Sequence, residues 1–267
     1  FSLVQTISER AKVGRLETGL PPCASGQWDR GAPVTVRMLL GTLESVSEEA
    51  VLGGSNVAVI GDGTPDNWEV IQFAEADLVG EKTYQISHRL RGQAGSEGIA
   101  RNGWPSGSWF VLLESGTPQL EMLSTMRGLE NTYRVGPVSR PVSDPIFRET
   151  RHAFRGNGLR PYAPAHLRVA PQENGDLRFN WIRRSRIGGD SWEVHDIPLG
   201  EESETYRVDL HLAGEVIRSE MVGTPEWTLS NAEQSSLGLS GVIDCRVAQL
   251  SSRYGAGAEA SIRVALP

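Results

Sequence analysis

Apolar and polar residues alternate in short runs along the second half of the chain. Leu177-Arg178-Phe179-Asn180-Trp181 is one such run, and Tyr206-Arg207-Val208-Asp209-Leu210-His211-Leu212 is another. A period of two places one set of side chains on a core and the other in water. Stretches of the same kind lie at 167–169, 216–218, 227–229, 242–250 and 258–264. Seven short strands in about 100 residues, separated by turn signals, predict a Greek-key β-sandwich. Trp181, Tyr206, Val208, Leu210, Trp227 and Val247 fall on its inner side. Burying each large one stabilises the fold by ~1.5–3 kcal/mol relative to exposure.

The first 155 residues predict strands at 34–39, 57–60, 68–73, 83–86 and 108–113, with turns at Gly53-Gly54 and Gly61-Asp62-Gly63. Helical patterning is scarce, and only 118–129 reads as a short helix. Nothing has βαβ spacing, so this part reads as a second all-β domain. Within 108–113, alternation groups Trp109 with Val111 and Leu113 on the core face. Trp104 precedes that strand and is expected at the surface. Positions 156–164, Gly-Asn-Gly-Leu-Arg-Pro-Tyr-Ala-Pro, combine left-handed-tolerant residues with two prolines. The expected organisation is therefore all-β: a β-rich domain over 1–155, a linker over 156–163 and a seven-stranded sandwich over 164–267.

The 267 residues carry 26 Lys and Arg against 33 Asp and Glu, a net charge of −7. Such a chain has no overall pull toward nucleic-acid phosphates, and no direct nucleic-acid binding is expected. No run of 18 apolar residues is present, so no helical membrane span is predicted. Cys23 and Cys245 lie near opposite ends, form no CxxC and are not expected to pair across two domains. His88, His152, His166, His195 and His211 never take metal-ligand spacing, so no metal site and no cofactor are expected. The chain begins at Phe1 without an export signal and reads as a piece of a longer or processed polypeptide.

No arrangement of catalytic residues stands out. Gly61-Asp62-Gly63 lacks the third glycine and the helix that would cradle a phosphate. Asp62 and Asp66 precede Trp68, with Glu75 and Asp77 after it; a carboxylate pair beside an aromatic suits a glycosidase and equally an acidic loop. No serine sits in a Gly-x-Ser-x-Gly elbow. The chain is therefore read as a non-enzyme, and its candidate sites are binding residues. Trp104 could stack on a sugar or pack on a partner. Arg183, Arg184 and Arg186 form the one dense basic segment, leading toward Trp192. They could grip an anionic partner, or pair internally with Glu201, Glu202 and Glu204. Only Lys12 and Lys82 are lysines; the other basic residues are all arginine.

Several motifs carry a family resemblance. Trp68-Glu69-Val70-Ile71-Gln72-Phe73-Ala74, followed by Tyr84-Gln85-Ile86-Ser87-His88-Arg89-Leu90-Arg91-Gly92-Gln93-Ala94-Gly95, resembles a signature of long-tailed phage tail-tip proteins. These are host-specificity or baseplate hub proteins, similar to the phage lambda tail-tip attachment protein. Further on, Trp181-Ile182-Arg183-Arg184-Ser185-Arg186, Gly189-Asp190-Ser191-Trp192-Glu193 and Arg246-Val247-Ala248-Gln249-Leu250 resemble the large tail-tip hub protein of gene transfer agents. The resemblance implies a virion part, assembled in the bacterial cytoplasm and trimeric at the tail tip. Its implied partners are other baseplate proteins and a glycan or protein on the recipient cell. Members of that branch carry a hydrolase-like barrel upstream that is not among these residues, so its substrate chemistry does not carry over.

The last 100 or so residues also resemble a fibronectin type III module, with Trp181 as the core tryptophan and Tyr206 as the aromatic of the third strand. Ile243 stands where that module usually has the tyrosine of its corner, so that hydrogen bond is missing. Cys245 shares a face with Ile243 and Val247 and is expected to be a buried small hydrophobe. The implied function is a structural and attachment segment of a tail-tip hub. The alternative is a module binding capsule or envelope polysaccharide.

Overall fold

The computed structural model describes residues 1–100, 102–188 and 197–266. The chain divides into two units, Phe1–Gly156 and Asn157–Pro267. In the first, seven strands share one antiparallel sheet: β1 (Lys12–Leu16), β2 (Trp28–Asp29), β3 (Val34–Leu40), β4 (Val57–Gly61), β5 (Trp68–Gly80), β6 (Thr83–Gln93) and β7 (Trp109–Leu112). Their order is β2-β6-β3-β1-β7-β4-β5, and β5 pairs back onto β6. Six strands thus close into a barrel, with the two-residue β2 attached to the far half of β6. Closure removes the sheet's open edges. Helices α1 (Glu48–Leu52) and α2 (Glu97–Ala100) are single turns in the connections. The barrel is filled by Leu16, Val36, Met38, Ile60, Ile71, Phe73, Ile86 and Phe110 among others, with Phe73 and Phe110 ring to ring at 6.1 Å.

The long pair β5 and β6 does not keep one alternation. On β6, Tyr84 and Ile86 point inward; His88 then adopts a left-handed backbone (φ +47°), and the inward residues become Arg89 and Arg91. A residue in that conformation advances the pleat by one position, as a bulge does. Two guanidinium groups therefore enter the core where strict alternation would have placed His88 and Leu90.

The expected helix over 118–129 is not formed. Only a 3₁₀ turn at Ser124–Met126 appears there, and Leu120, Leu123 and Leu129 are exposed. So short a helix needs a surface to bury its apolar side, and none covers these leucines. Beyond it, β8 (Asn131–Val135) and β9 (Arg148–His152) form a separate two-stranded hairpin that alternation did not indicate.

The second unit holds β10 (Ala165–Pro171), β11 (Leu177–Ile182), β12 (Tyr206–Leu212), β13 (Glu215–Val222), β14 (Glu226–Leu229), α3 (Asn231–Ser236), β15 (Gly241–Ser251) and β16 (Gly255–Leu266). One sheet runs β10-β11-β14 and the other β13-β12-β15-β16. Three strands against four in this order are a fibronectin type III-like arrangement. Between the sheets lie Phe179, Trp181, Val208, Leu210, Trp227, Ile243, Cys245 and Val247. Trp181 meets Tyr206 edge to face at 5.2 Å, and Phe179 lies 5.4 Å from Trp227. The segment read as linker is partly built into this unit: Ala163 is buried, and the Pro161 carbonyl accepts from the Ala258 N–H at 3.2 Å.

Candidate functional site

A buried cluster of four paired charges lies inside the barrel. Arg91 meets Glu69 as a fork, Nε to Oε1 at 2.6 Å and Nη2 to Oε2 at 2.9 Å, with both side chains wholly buried. The Gly92 N–H donates to Oε1 at 3.0 Å and the Trp104 indole N–H to Oε2 at 2.8 Å. Arg91 also donates to the Pro21 carbonyl. Next to it, Arg89 binds Asp29 at 3.0 Å and donates to the carbonyls of Ile86 and Ala32. Burial alone would push the Asp29 carboxyl up. The Gly31 N–H and the Arg89 and Arg91 guanidinium groups outweigh it and hold Asp29 below its ordinary value.

This is a saturated network. Each Glu69 oxygen takes two donors, so the carboxylate has no room to move a proton to or from a substrate. The Leu90-Arg91-Gly92 motif thereby acquires a structural meaning. Arg91 supplies the fork, and Gly92, with φ +61°, turns its own N–H onto the same carboxylate. A Cβ there would lie 2.8 Å from the Glu97 Cα.

The two indoles flanking the 105–108 turn exchange the positions expected of them. Trp104, expected at the surface, is 7% exposed and locked to Glu69. Trp109, expected in the core, sits half-buried on the outer face of β7, where the Arg15 guanidinium stacks on its ring at 3.7 Å. Phe110 and Leu112 point inward instead of Trp109, Val111 and Leu113. All six residues of 108–113 except Ser108 are apolar, so alternation defines two faces without saying which is buried. The pairing of Phe110 with Ile60 and of Arg15 with Trp109 decides it.

Of the carboxylates considered for catalysis, Asp62 and Glu75 are similarly engaged. Asp62 accepts from the Thr64 hydroxyl and N–H and from the Asn67 amide. Those hydrogen bonds, the Thr64 hydroxyl first, bring its pKa down to about 2. Asp62 is thus a loop staple, ionised at neutral pH and unfit as a general acid. Glu75 is held below its ordinary value by the Ser87 hydroxyl and by His88, whose Nδ1 is 2.9 Å away. A recess of about 260 Å³ beside Trp104 is lined by Asp62, Asn67, Ile99, Asn102 and Pro105. Among the described residues no group of three or more His, Cys, Asp and Glu could hold a metal ion.

In the second unit the basic segment is built into the fold. Arg183 donates to the carbonyls of Ile197 and Pro198 and lies 4.0 Å from Glu204. Arg184 donates to the Ala163 carbonyl and covers the Tyr162 ring at 4.8 Å. Arg186 pairs with Glu201 at 2.5 Å, both side chains largely buried, and lies over Tyr254. Glu202 pairs with Arg253. Of the acids near this segment in sequence, Glu201 pairs with Arg186, and Glu204 lies at the limit of an ion pair with Arg183. Trp192 lies outside the described residues, as does His195. Trp181, Tyr206, Trp227 and Val247 are all buried between the sheets. Cys245 is buried with Ile243 and Val247, and burial pushes its thiol up to about 12. Both cysteines are free.

Residues 11–111, the barrel, match the family model described as "Rcc01698-like, C-terminal", which covers less than half of the chain. No curated protein matches the chain. Among solved structures it is similar to domains d3–d4 of the rat CD45 extracellular region, at 11% identity over 58% of this chain and 72% of that one, with a TM-score of 0.31. A two-domain fibronectin type III segment of chicken tenascin gives 9% identity, 96% and 99% coverage, and a TM-score of 0.28. Chicken CNTN1 FN1–FN3 gives 12%, 92%, 67% and 0.27. The strand order of the second unit, three strands against four, defines its fold. No helix among the described residues is long and apolar enough to cross a membrane.

Proposed function

We propose that this all-β chain is a non-catalytic structural and attachment segment of a phage-like tail-tip hub. In this reading it sits at the tail tip of a virion-like particle assembled in the bacterial cytoplasm. It holds its place as a homotrimer among other baseplate proteins and turns loops toward the recipient cell. The motifs of both units that resemble tail-tip hub proteins support this reading. The observation that carries its non-catalytic part is the closure of Glu69 by Arg91, Gly92 and Trp104, which spends the most deeply buried acid on holding the barrel together. Rigid β-scaffolds bearing surface loops suit attachment, and symmetric repetition multiplies weak contacts through effective concentration.

The polysaccharide-binding alternative loses its chief residue, since the Trp104 indole is turned into the barrel. Gold-labelled antibody fragments raised against this chain test the main reading on purified particles. Label concentrated at the tail tip, together with reduced adsorption to recipient cells, is the expected result. Label absent from particles overturns the placement.

A further inference from the structure

The hairpin β8–β9 lacks what a hairpin needs to stand alone. Its strands pair only with each other, and nearly every residue in them is exposed or half-exposed. An isolated two-stranded hairpin is marginal in water. The segment around it leaves Leu129, Val135, Val138 and Ile146 more than half exposed. It is also a basic segment of an acidic protein. Residues 127–155 carry six arginines and three carboxylates, net +3, which leaves −10 for the rest of the chain. Arg134 is satisfied by Glu149. Arg140, Arg148, Arg151 and Arg155 are exposed and have no ion-pair partner among the described residues.

A surface of complementary character lies elsewhere on the same unit. The β5–β6 turn projects Leu78 and Val79, both more than half exposed, and the exposed end of β3 adds Leu39 and Leu40. Met38 on β3 donates to the Lys82 carbonyl at 2.7 Å, which holds the two ends together. Residues 75–82 contain Glu75, Asp77, Glu81 and Lys82, net −2. One patch is apolar and basic, the other apolar and acidic.

We infer that the arginine-rich hairpin of one copy docks onto the Asp77–Glu81 turn of a second copy. The contact is head to tail, because the two patches differ, and such contacts propagate into a closed ring when the rotation closes. The 127–155 segment matches one side of a stable interface, ~20–30 residues. The inference deepens the proposed function by naming the surface that joins copies, and its test is independent of any particle.

The test is the mass of the full chain in solution, followed by light scattering from low concentration up to on the order of 100 μM, where weak association becomes visible. Self-association that weakens as salt rises is expected. Arg148→Glu with Arg151→Glu is expected to weaken it roughly 10–100-fold with the melting temperature unchanged. Adding Asp77→Arg and Glu81→Arg to that variant is expected to restore it. Should the arginine variant fail to fold, Asp77→Arg with Glu81→Arg alone gives the same loss. A chain that stays monomeric, association indifferent to both pairs of substitutions, or a quadruple variant that fails to recover overturns the inference. So does capture of a polyanion such as heparin by the hairpin without self-association.

Discussion

Glu69 and Arg91, on neighbouring strands of the barrel, form a two-pronged ion pair at 2.6 and 2.9 Å with neither side chain touching water. A buried pair of this kind gives little net stability over an apolar pair of the same shape, because both ions have lost their hydration. Removing one partner is a different matter. Arg91→Leu leaves a carboxylate in the core and is expected to cost ~3–5 kcal/mol, whereas Glu69→Leu with Arg91→Leu costs distinctly less. Urea unfolding of the three proteins checks this. A double variant as unstable as Arg91→Leu would show that the pair is not the source of the cost.

The exchanged indoles predict opposite sensitivities. Trp104→Phe keeps most of the ring and removes the donor to Glu69, and is expected to destabilise the barrel by ~1–3 kcal/mol. Trp109→Ala removes a surface ring under Arg15 and is expected to cost ~1 kcal/mol or less. Chemical denaturation ranks the two, and the reverse order would return Trp109 to the core.

Trp181 and Tyr206 join the two sheets of the second unit edge to face. Trp181→Ala empties that contact at an expected cost of ~3–5 kcal/mol. Because the chain forms two units, calorimetry is expected to show one transition moving down while the barrel's transition stays in place. An unmoved profile would remove Trp181 from the core.

Glu233 closes the capping box of α3, accepting from the Ser230 hydroxyl and N–H while Arg218 donates to its other oxygen at 2.6 Å. The Ser230 hydroxyl first, then Arg218, bring its pKa from 4.5 down to about 2. A folded value below the unfolded one means that this contribution to stability is complete above the unfolded pKa of 4.5. It is lost as the pH falls toward about 2. An NMR titration of the Glu233 side-chain carboxyl is expected to show a midpoint near the low value in the native protein. In Arg218→Met the midpoint is expected to rise, and one that does not respond would deny the contact.

The amino-acid pattern alone determined the second unit closely. On β11 one side is wet and the other dry, so polar and apolar residues separate cleanly along 177–181 and the inner residues can be named from the alternation, whereas on β12 the polar-phase residues Asp209 and His211 are buried too. It also determined that the first 155 residues are β-rich and that the basic segment has acids near it in sequence. Tertiary structure decided the rest. In 108–113 both phases are apolar, and only pairing with β1 and β4 selects Phe110 over Trp109. In β6 a single left-handed residue, His88, reverses the phase and carries Arg89 and Arg91 inward. That placement is tolerable only because Asp29, Glu69 and several carbonyls, distant in sequence, converge on the same space. Alternation is a local property, whereas compensation for a buried charge requires residues that meet only when the barrel closes.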